Sequence, residues 1–193
     1  LGETVLVTAG GTSEPIDAVR SITNRSSGKM GFALAQEAVQ RGARVRLVAG
    51  VTSLDTPAGV ERQDVESALE MRDAVMDGLE SATIVIKAAA VADFRPEVPE
   101  AKKIKKESLE SESGITLRLV TNPDILAEVC ARKGDRIVVG FAAESENVVQ
   151  SALRKLKQKG CDLLVANDIS REDAGFNVDT NAVYILSPDG EVE

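Results

Sequence analysis

The apolar positions along the chain switch repeatedly between short continuous runs and helical spacing. Thr4–Ala9 (TVLVTA) is an apolar, β-branched run that breaks at Gly10-Gly11-Thr12, the pattern of a buried strand entering a turn. After an irregular stretch to Ser27, Gly28–Arg41 carries helix formers with Phe32, Leu34, Ala35, Ala38 and Val39 on a packed face, and Gly42 stands at its C-terminal boundary. Ala43–Ala49 predicts a second strand and Gly59–Gln63 a weaker third. Ser67–Leu79 spaces Leu69, Val75, Met76 and Leu79 as an amphipathic helix, and Ala82–Lys87 returns to a strand.

Ala88–Ser113 changes character, with Pro96, Pro99 and the cluster Lys102-Lys103-Ile104-Lys105-Lys106 before an acidic, serine-rich end. This segment predicts an exposed, mobile loop that protrudes from the domain. Ile115–Val120 resumes as a strand. Asn122-Pro123-Asp124 reads as a helix start, with the proline in the first turn, where its missing N–H costs little. Helix Asp124–Arg132, strand Arg136–Gly140, helix Glu146–Lys159 and strand Asp162–Ala166 follow, and Phe176–Leu186 closes with an edge strand or hairpin. Apolar strands alternating with helices predict an α/β fold: a doubly wound, largely parallel sheet with a possible antiparallel edge. No tandem repeat is visible.

Composition narrows the function classes. The 193 residues suit one domain, and 43% apolar content excludes wholesale disorder. Lys and Arg total 23 against 31 Asp and Glu, a net charge of −8, which argues against a nucleic-acid-binding surface but leaves room for a local basic pocket. With no histidine and only Cys130 and Cys161, the chain has no histidine base and no zinc framework, and both cysteines read as small core hydrophobes. The lack of a membrane-length apolar run or a basic leader predicts a soluble, cytoplasmic protein.

Several residues carry candidate chemistry. Gly10-Gly11-Thr12 and Ser26-Ser27-Gly28-Lys29-Met30-Gly31 flank the first strand and helix. Glycine admits close backbone approach and helix-terminal N–H groups favour phosphate, although neither the dinucleotide fingerprint nor the P-loop spacing is present; tight turns explain the glycines equally well. Asn24 can both donate and accept hydrogen bonds to a carboxylate or acyl group, or serve a turn. Asp93 stands at a strand's C-terminal edge, where open α/β sheets place ligands, and is either a ligand or a turn cap. Asp124 is either a ligand or a helix cap. Lys103 lies in a positive cluster on an acidic chain, which is either a site for a polyanion or a solvated lysine loop. Lys155 and Lys159 share one helical side beside the apolar stripe of Val149, Leu153 and Leu156, a side that addresses a ligand or solvent. Phe141 ends an apolar strand as core or as packing for a base.

Taken in order, TAGGTSEPID (Thr8–Asp17), NRSSGKMG (Asn24–Gly31), AAVADFRP (Ala89–Pro96), KIKK (Lys103–Lys106), NPDIL (Asn122–Leu126), GFAAE (Gly140–Glu144) and ANDIS (Ala166–Ser170) resemble the phosphopantothenoylcysteine synthetase domain of the bacterial bifunctional synthetase/decarboxylase family. The resemblance covers nearly the whole chain. It implies a Rossmann-like fold and CTP-dependent ligation of 4′-phosphopantothenate to L-cysteine. The route passes through a 4′-phosphopantothenoyl-cytidylate and releases pyrophosphate and CMP, in coenzyme A biosynthesis.

The resemblance also implies site roles. Asn24 binds the acyl-cytidylate and serves its conversion, and Lys103 steadies the nucleotide and the activation transition state. Backbone groups at Lys87, Ala88 and Ala89 read the cytosine edge, while Asp93 meets ribose or metal. Pro123, Asp124, Ile125 and Leu126 form a nucleotide-binding helix entrance; Phe141 packs by the nucleotide, and Lys155 and Lys159 approach its anionic part. Gly10, Gly11, Ser27 and Gly28 contact phosphate. Mg²⁺ (or Mn²⁺) is the expected ion, its ligands left open, and a homodimer is expected. The flavin belongs to a decarboxylase domain that is natively fused and absent from this chain, which also ends before a usual C-terminal helix. Two other readings compete: an NAD(P)-dependent oxidoreductase, whose tyrosine would have to be Tyr184, and a non-enzymatic nucleotide-binding regulatory or assembly module.

Overall fold

Strand β1 (Thr4–Ala9) is buried on both faces, as its uninterrupted apolar run requires in the middle of a parallel sheet. The computed structural model describes residues 2–105, 114–144, 146–168 and 181–190. Among these, β1 pairs in parallel with β4 (Arg44–Ala49) on one side and β6 (Ile84–Lys87) on the other. Beyond β4 lies β5 (Val60–Asp64), and beyond β6 come β9 (Ile137–Glu144) and β10 (Leu163–Asp168), all parallel. The last strand, β11 (Val183–Leu186), pairs antiparallel with β10 and forms the predicted edge. The full order is β11-β10-β9-β6-β1-β4-β5, a Rossmann-like sheet that reverses direction between β1 and β6.

Helix α1 (Lys29–Gln40) covers one face. Phe32 and Ala35 pack there with Val5, Val7, Ala9 and Leu47, and Ala38 and Val39 seal the margin. The other face carries α2 (Ala68–Leu79), α3 (Ile125–Ala131) and α4 (Val148–Lys159) over Leu6, Val48, Val85, Val138 and Leu164. Each such side chain taken out of water contributes roughly 1.5–3 kcal/mol before chain entropy is counted. Cys161 is buried in that layer with Cys130 packed against it, both reduced.

Helix α2 starts at a capping box: Ser67 Oγ accepts the Glu70 N–H at 3.2 Å, and Glu70 Oε2 accepts the Ser67 N–H at 3.4 Å. Its buried face is Ala68, Met71, Ala74, Val75 and Leu79, whereas Leu69 is 41% exposed. Leu69 is thus off the predicted face, because the seam runs through positions 68, 71 and 75 at helical spacing.

Two small hairpins depart from the expected pattern. The irregular stretch before α1 contains β2 (Ser13–Pro15) and β3 (Ser21–Thr23), antiparallel to each other. The expected Ala88–Ser113 loop contains β7 (Phe94–Pro96), which pairs with β8 (Leu119–Thr121) outside the main sheet. The Ile115–Val120 strand is therefore shorter, shifted and confined to this hairpin. Pro123 does not enter a helical turn: Asp124 takes the N-cap with non-helical dihedrals, and α3 begins at Ile125. Residues 106–113 of the predicted loop, Ile169, Ser170 and residues 176–180 of the predicted edge segment lie outside the described residues. Among the described residues no helix is long and apolar enough to cross a membrane.

Gly31 presses α1 onto β1: a Cβ there would stand 2.4 Å from Ala9 Cβ. Gly31→Ala is expected to destabilise the protein by about 1–3 kcal/mol through overpacking, despite the better helix propensity of alanine. Urea denaturation checks this; an unchanged midpoint contradicts it.

Candidate functional site

The chain reversal between β1 and β6 opens a crevice, and its floor is a ladder of backbone and hydroxyl hydrogen bonds. The Ala89 N–H donates to Thr8 Oγ1 at 3.1 Å and the Ala90 N–H to the Gly10 carbonyl at 2.9 Å. The Thr12 N–H donates to the Ala90 carbonyl at 3.3 Å, and the Ala92 N–H to Thr12 Oγ1 at 2.9 Å. Thr8 and Thr12 are fully buried, so each hydroxyl replaces a water that residues 88–92 would otherwise need. Gly10, at φ 78°, and Gly11 lie beneath the crevice, where a Cβ on either would stand 3.1 Å from backbone of Gly50 or Asn24. Neither lines the cavity; their close packing carries the crossing of the chain.

Above this floor lies a cleft in two lobes. The larger, about 1230 Å³, is lined by Asn24, Ser27, Gly28, Ala88, Ala89, Asp93, Phe141 and Lys155, along with the first residues of α1. The smaller, about 500 Å³, is lined by Lys87, Ala89, Asp93, Pro123, Asp124, Ile125, Leu126, Phe141, Lys155 and Lys159. Ala89, Asp93, Phe141 and Lys155 belong to both, so the lobes are continuous. The structure thus brings together every sequence-predicted site residue except Gly10, Gly11 and Lys103. Lys103 is exposed and lines neither lobe. Tyr184, on β11, lines neither lobe.

The N-terminus of α1 faces the larger lobe. Gly28 is its N-cap, left-handed at φ 80° and without a side chain to cap the helix, while Ser27 Oγ accepts the Lys29 N–H at 3.4 Å. The rest of the first turn, Met30 and Gly31, lines the cavity at the positive end of the helix dipole, an arrangement suited to an anion. Asn24 stands at the rim, where its Nδ2 donates to the Val91 carbonyl at 3.0 Å and ties the β3 end to the post-β6 loop.

The smaller lobe is electrostatically unusual. Asp124 works as the predicted cap, accepting the Ala127 N–H at 3.0 Å through Oδ1, while Oδ2 pairs with Lys159. Burial raises its pKa, but the Lys159 contact and the cap bond outweigh burial and hold it below the usual carboxylate value. Lys87 ends β6 only 6% exposed, and among the described residues its Nζ has no hydrogen-bond partner. Burial pushes its pKa down to about 7, with partial compensation from the Asp124 charge. An unpartnered buried amine beside a cavity is a donor awaiting an acceptor. The sequence marks Lys87 only through its backbone; the side chain at the end of IVIK is the further signal. Thr8, Thr12 and Glu14 are likewise site supports that the turn-rich sequence conceals. Glu14 is 1% exposed and accepts the Ala68 N–H at 2.9 Å.

Among the described residues no group of three or more His, Cys, Asp or Glu gathers as a metal centre. Asp93 is an exposed carboxylate on the wall shared by both lobes, whereas Asp124 is engaged with Lys159. That donor set suits a Mg²⁺ ion carried mainly by substrate phosphates and water, which needs only one or two protein carboxylates.

The whole chain, residues 1–193, matches the family described as the DNA/pantothenate metabolism flavoprotein C-terminal domain. The chain belongs to this family. A relative from Bacillus subtilis, the coenzyme A biosynthesis bifunctional protein CoaBC, is 49% identical over 190 residues, which are 98% of this chain and 46% of the relative. The chain therefore spans about half the length of such relatives. A crystal structure of the C-terminal domain of CoaBC superposes with a TM-score of 0.82 at 40% identity, covering 99% of this chain and 84% of that one. A Cab2 mutant in complex with phosphopantothenate-cysteine shares the fold, with a TM-score of 0.78 at 17% identity over 99% of this chain and 79% of its own.

Lys87 yields a test of the site's electrostatics. The unfolded chain keeps the lysine proton to about pH 10.4, whereas the folded protein releases it near 7. In that window the unfolded state binds more protons, so this group makes stability rise with pH from about 7 to about 10. Lys87→Met is expected to abolish that rise and to stabilise the empty protein at pH 7 by about 1–3 kcal/mol. Urea titrations at several pH values check it; a parent-like pH dependence in the variant contradicts it.

Proposed function

We propose that the chain is a CTP-dependent ligase that joins 4′-phosphopantothenate to L-cysteine in coenzyme A biosynthesis. The observation that carries the reading is the two-lobed cleft: the N-terminus of α1 faces one lobe, Lys87, Lys155 and Lys159 line the other, and the lobes share Phe141 and Asp93. CTP and 4′-phosphopantothenate, two of the three substrates, are polyanions, and the cleft brings lysines together on a chain of net charge −8. Family membership and the similarity to CoaBC support the same assignment.

The reaction has two steps. A carboxylate oxygen of 4′-phosphopantothenate attacks the α-phosphorus of CTP, the bond from that phosphorus to the α–β bridging oxygen breaks, and pyrophosphate leaves. The cysteine amine then attacks the activated acyl carbon, CMP leaves with the acyl–oxygen electron pair, and the nitrogen gives up a proton. A free carboxylate lacks a workable leaving group at carbon; a nucleotide phosphate supplies one. No protein nucleophile is needed, which fits a chain with no histidine.

The chain's residues bind and orient. Backbone groups at Lys87, Ala88 and Ala89 read the cytosine edge, Phe141 packs beside the base, and Lys155 and Lys159 face the phosphates with the N–H groups of Asp124, Ile125 and Leu126, which follow Pro123 at the α3 entrance. Ser27, Gly28 and the α1 terminus take the second phosphate-bearing group; Gly10 and Gly11 set the backbone on which that turn rests. Asn24 holds the acyl-cytidylate for cysteine, and Lys103 steadies activation. Asp93, which the resemblance assigns to ribose or metal, would hold Mg²⁺ (or Mn²⁺) together with the phosphates, and the ion would neutralise charge in the triphosphate. The compartment is cytoplasmic, no nucleic acid or membrane is engaged, and a flavin-dependent decarboxylase domain accompanies this one in the full-length protein.

A homodimer completes the reading. Val19, Phe94, Val98 and Leu119 are 63%, 51%, 75% and 43% exposed on the β2–β3 turn and around the β7–β8 hairpin, beside the cleft. Apolar side chains so placed suit a second copy of the chain.

Asn24→Asp removes an amide donor and places negative charge near an anionic intermediate. The variant is expected to release pyrophosphate from CTP and 4′-phosphopantothenate while turning the acyl-cytidylate over to cysteine about 10²-fold more slowly. Mass spectrometry of quenched reactions checks this. Absence of the cytidylate from both the parent and the variant, with Mg²⁺ supplied, rejects the ligase reading. Sedimentation is expected to give twice the 20.4 kDa chain mass; a monomer contradicts the dimer.

A further inference from the structure

Asp17 is a buried carboxylate that the ligase reading leaves without a task. It sits in the β2–β3 turn, its side chain fully inaccessible, and it joins two segments far apart in sequence. Oδ1 accepts the N–H groups of Val19 and Arg20, both at 2.9 Å, which shapes the turn. Oδ2 accepts from the Arg20 guanidinium and from the Ile104 N–H, the latter at 3.1 Å. Two more bonds tie the same places together: the Glu100 N–H donates to the Ile16 carbonyl at 2.9 Å, and Arg20 Nη1 donates to the Ile104 carbonyl at 3.3 Å. Burial raises the Asp17 pKa, but the donors from Val19, Ile104 and Arg20 outweigh it and keep the carboxylate charged at neutral pH.

Ile104 directly follows Lys103. The hairpin that anchors it runs through β3 into Asn24, so one small element leads into the residue assigned to the second step and pins the backbone beside the residue assigned to the first. We infer that Asp17 is a positioning residue for Lys103: its carboxylate clamps the backbone next to the lysine onto the β2–β3 turn and so sets where the ammonium group stands during activation. The inference rests on the ligase reading for the role of Lys103, whereas the clamp itself is independent of it.

The chemistry requires a carboxylate. Its two oxygens accept from both segments at once; an asparagine of the same shape has one acceptor and one donor, so either the turn or Ile104 loses its partner. Asp17→Asn is therefore expected to speed hydrogen exchange at the Ile104 amide roughly 10- to 100-fold, with the Val7 amide in β1 unchanged as a control for folding. Pyrophosphate release from CTP and 4′-phosphopantothenate is expected to slow by roughly 10- to 100-fold, as expected for a displaced catalytic group. Conversion of supplied acyl-cytidylate with cysteine is expected to stay within about twofold, which a general loss of structure would not allow. Ile104→Pro, which deletes the accepted N–H and leaves Asp17 in place, is expected to reproduce the slowing. The Asp17→Asn/Lys103→Gln double variant is expected to be no slower than Lys103→Gln alone.

Unaltered Ile104 exchange in Asp17→Asn overturns the clamp. Faster exchange with parent-like pyrophosphate release, or slowing that multiplies with that of Lys103→Gln, overturns its link to the lysine. A parent protein that releases no pyrophosphate rejects the ligase reading and with it the link to activation, while the exchange measurement still decides whether the clamp exists.

Discussion

The meeting of the β1 end with the loop after β6 governs the rest of the molecule. At the point where the sheet reverses direction, two chain segments leave in opposite senses and expose backbone polar groups that a dry interior cannot tolerate. Thr8, Gly10 and Thr12 satisfy them by binding residues 89, 90 and 92, and this fixes the wall on which Ala89, Val91 and Asp93 stand. Asn24 adds a bond to Val91 from the other side of the crevice. The cleft is therefore built from parts held before any ligand arrives, which lowers the ordering cost of binding.

Stability and chemistry pull against each other in the smaller lobe. Lys159 and Asp124 neutralise one another, and Asp124 also caps α3, so that part resembles an ordinary folded protein. Lys87 does not: its amine is buried without a partner at the end of a strand whose other residues pack well. A chain selected for stability alone would place an apolar residue there. On the ligase reading, a local rule broken at a cavity, amid sound packing elsewhere, is where a bound anion would supply the missing interaction.

The legibility of this architecture in the sequence followed the length and apolarity of each element. Six-residue runs such as TVLVTA and RVRLVA stand out because both faces of a central strand are buried, and the helices α1 and α4 show their packed sides through residues such as Phe32 and Leu156. The three-residue strands of the two small hairpins do not stand out. Each is only three residues long, too short to show a period, and they are held by partners outside the strand, as where Thr23 donates to the Thr12 carbonyl. For the same reason Glu14 and Asp17 read as turn residues while being buried acceptors. Among the cleft residues, Lys155 and Lys159 show their shared side through helical spacing, whereas Phe141, expected at the end of a strand, lies inside β9, which runs on to Glu144. The burial of the Lys87 side chain depends on how α3 seats against the sheet, which local patterning does not carry. The family relationship accounts for the completeness of the remaining site list.

A crystal structure of the chain with CTP, Mg²⁺ and 4′-phosphopantothenate examines the central claim most directly, because the claim is geometric. The account predicts cytosine against residues 87–89, the triphosphate beside Lys155 and Lys159, and the α-phosphorus within reach of the pantothenate carboxylate. CTP bound with that phosphorus turned away from every accessible acyl-substrate position, including those across a dimer, would contradict it.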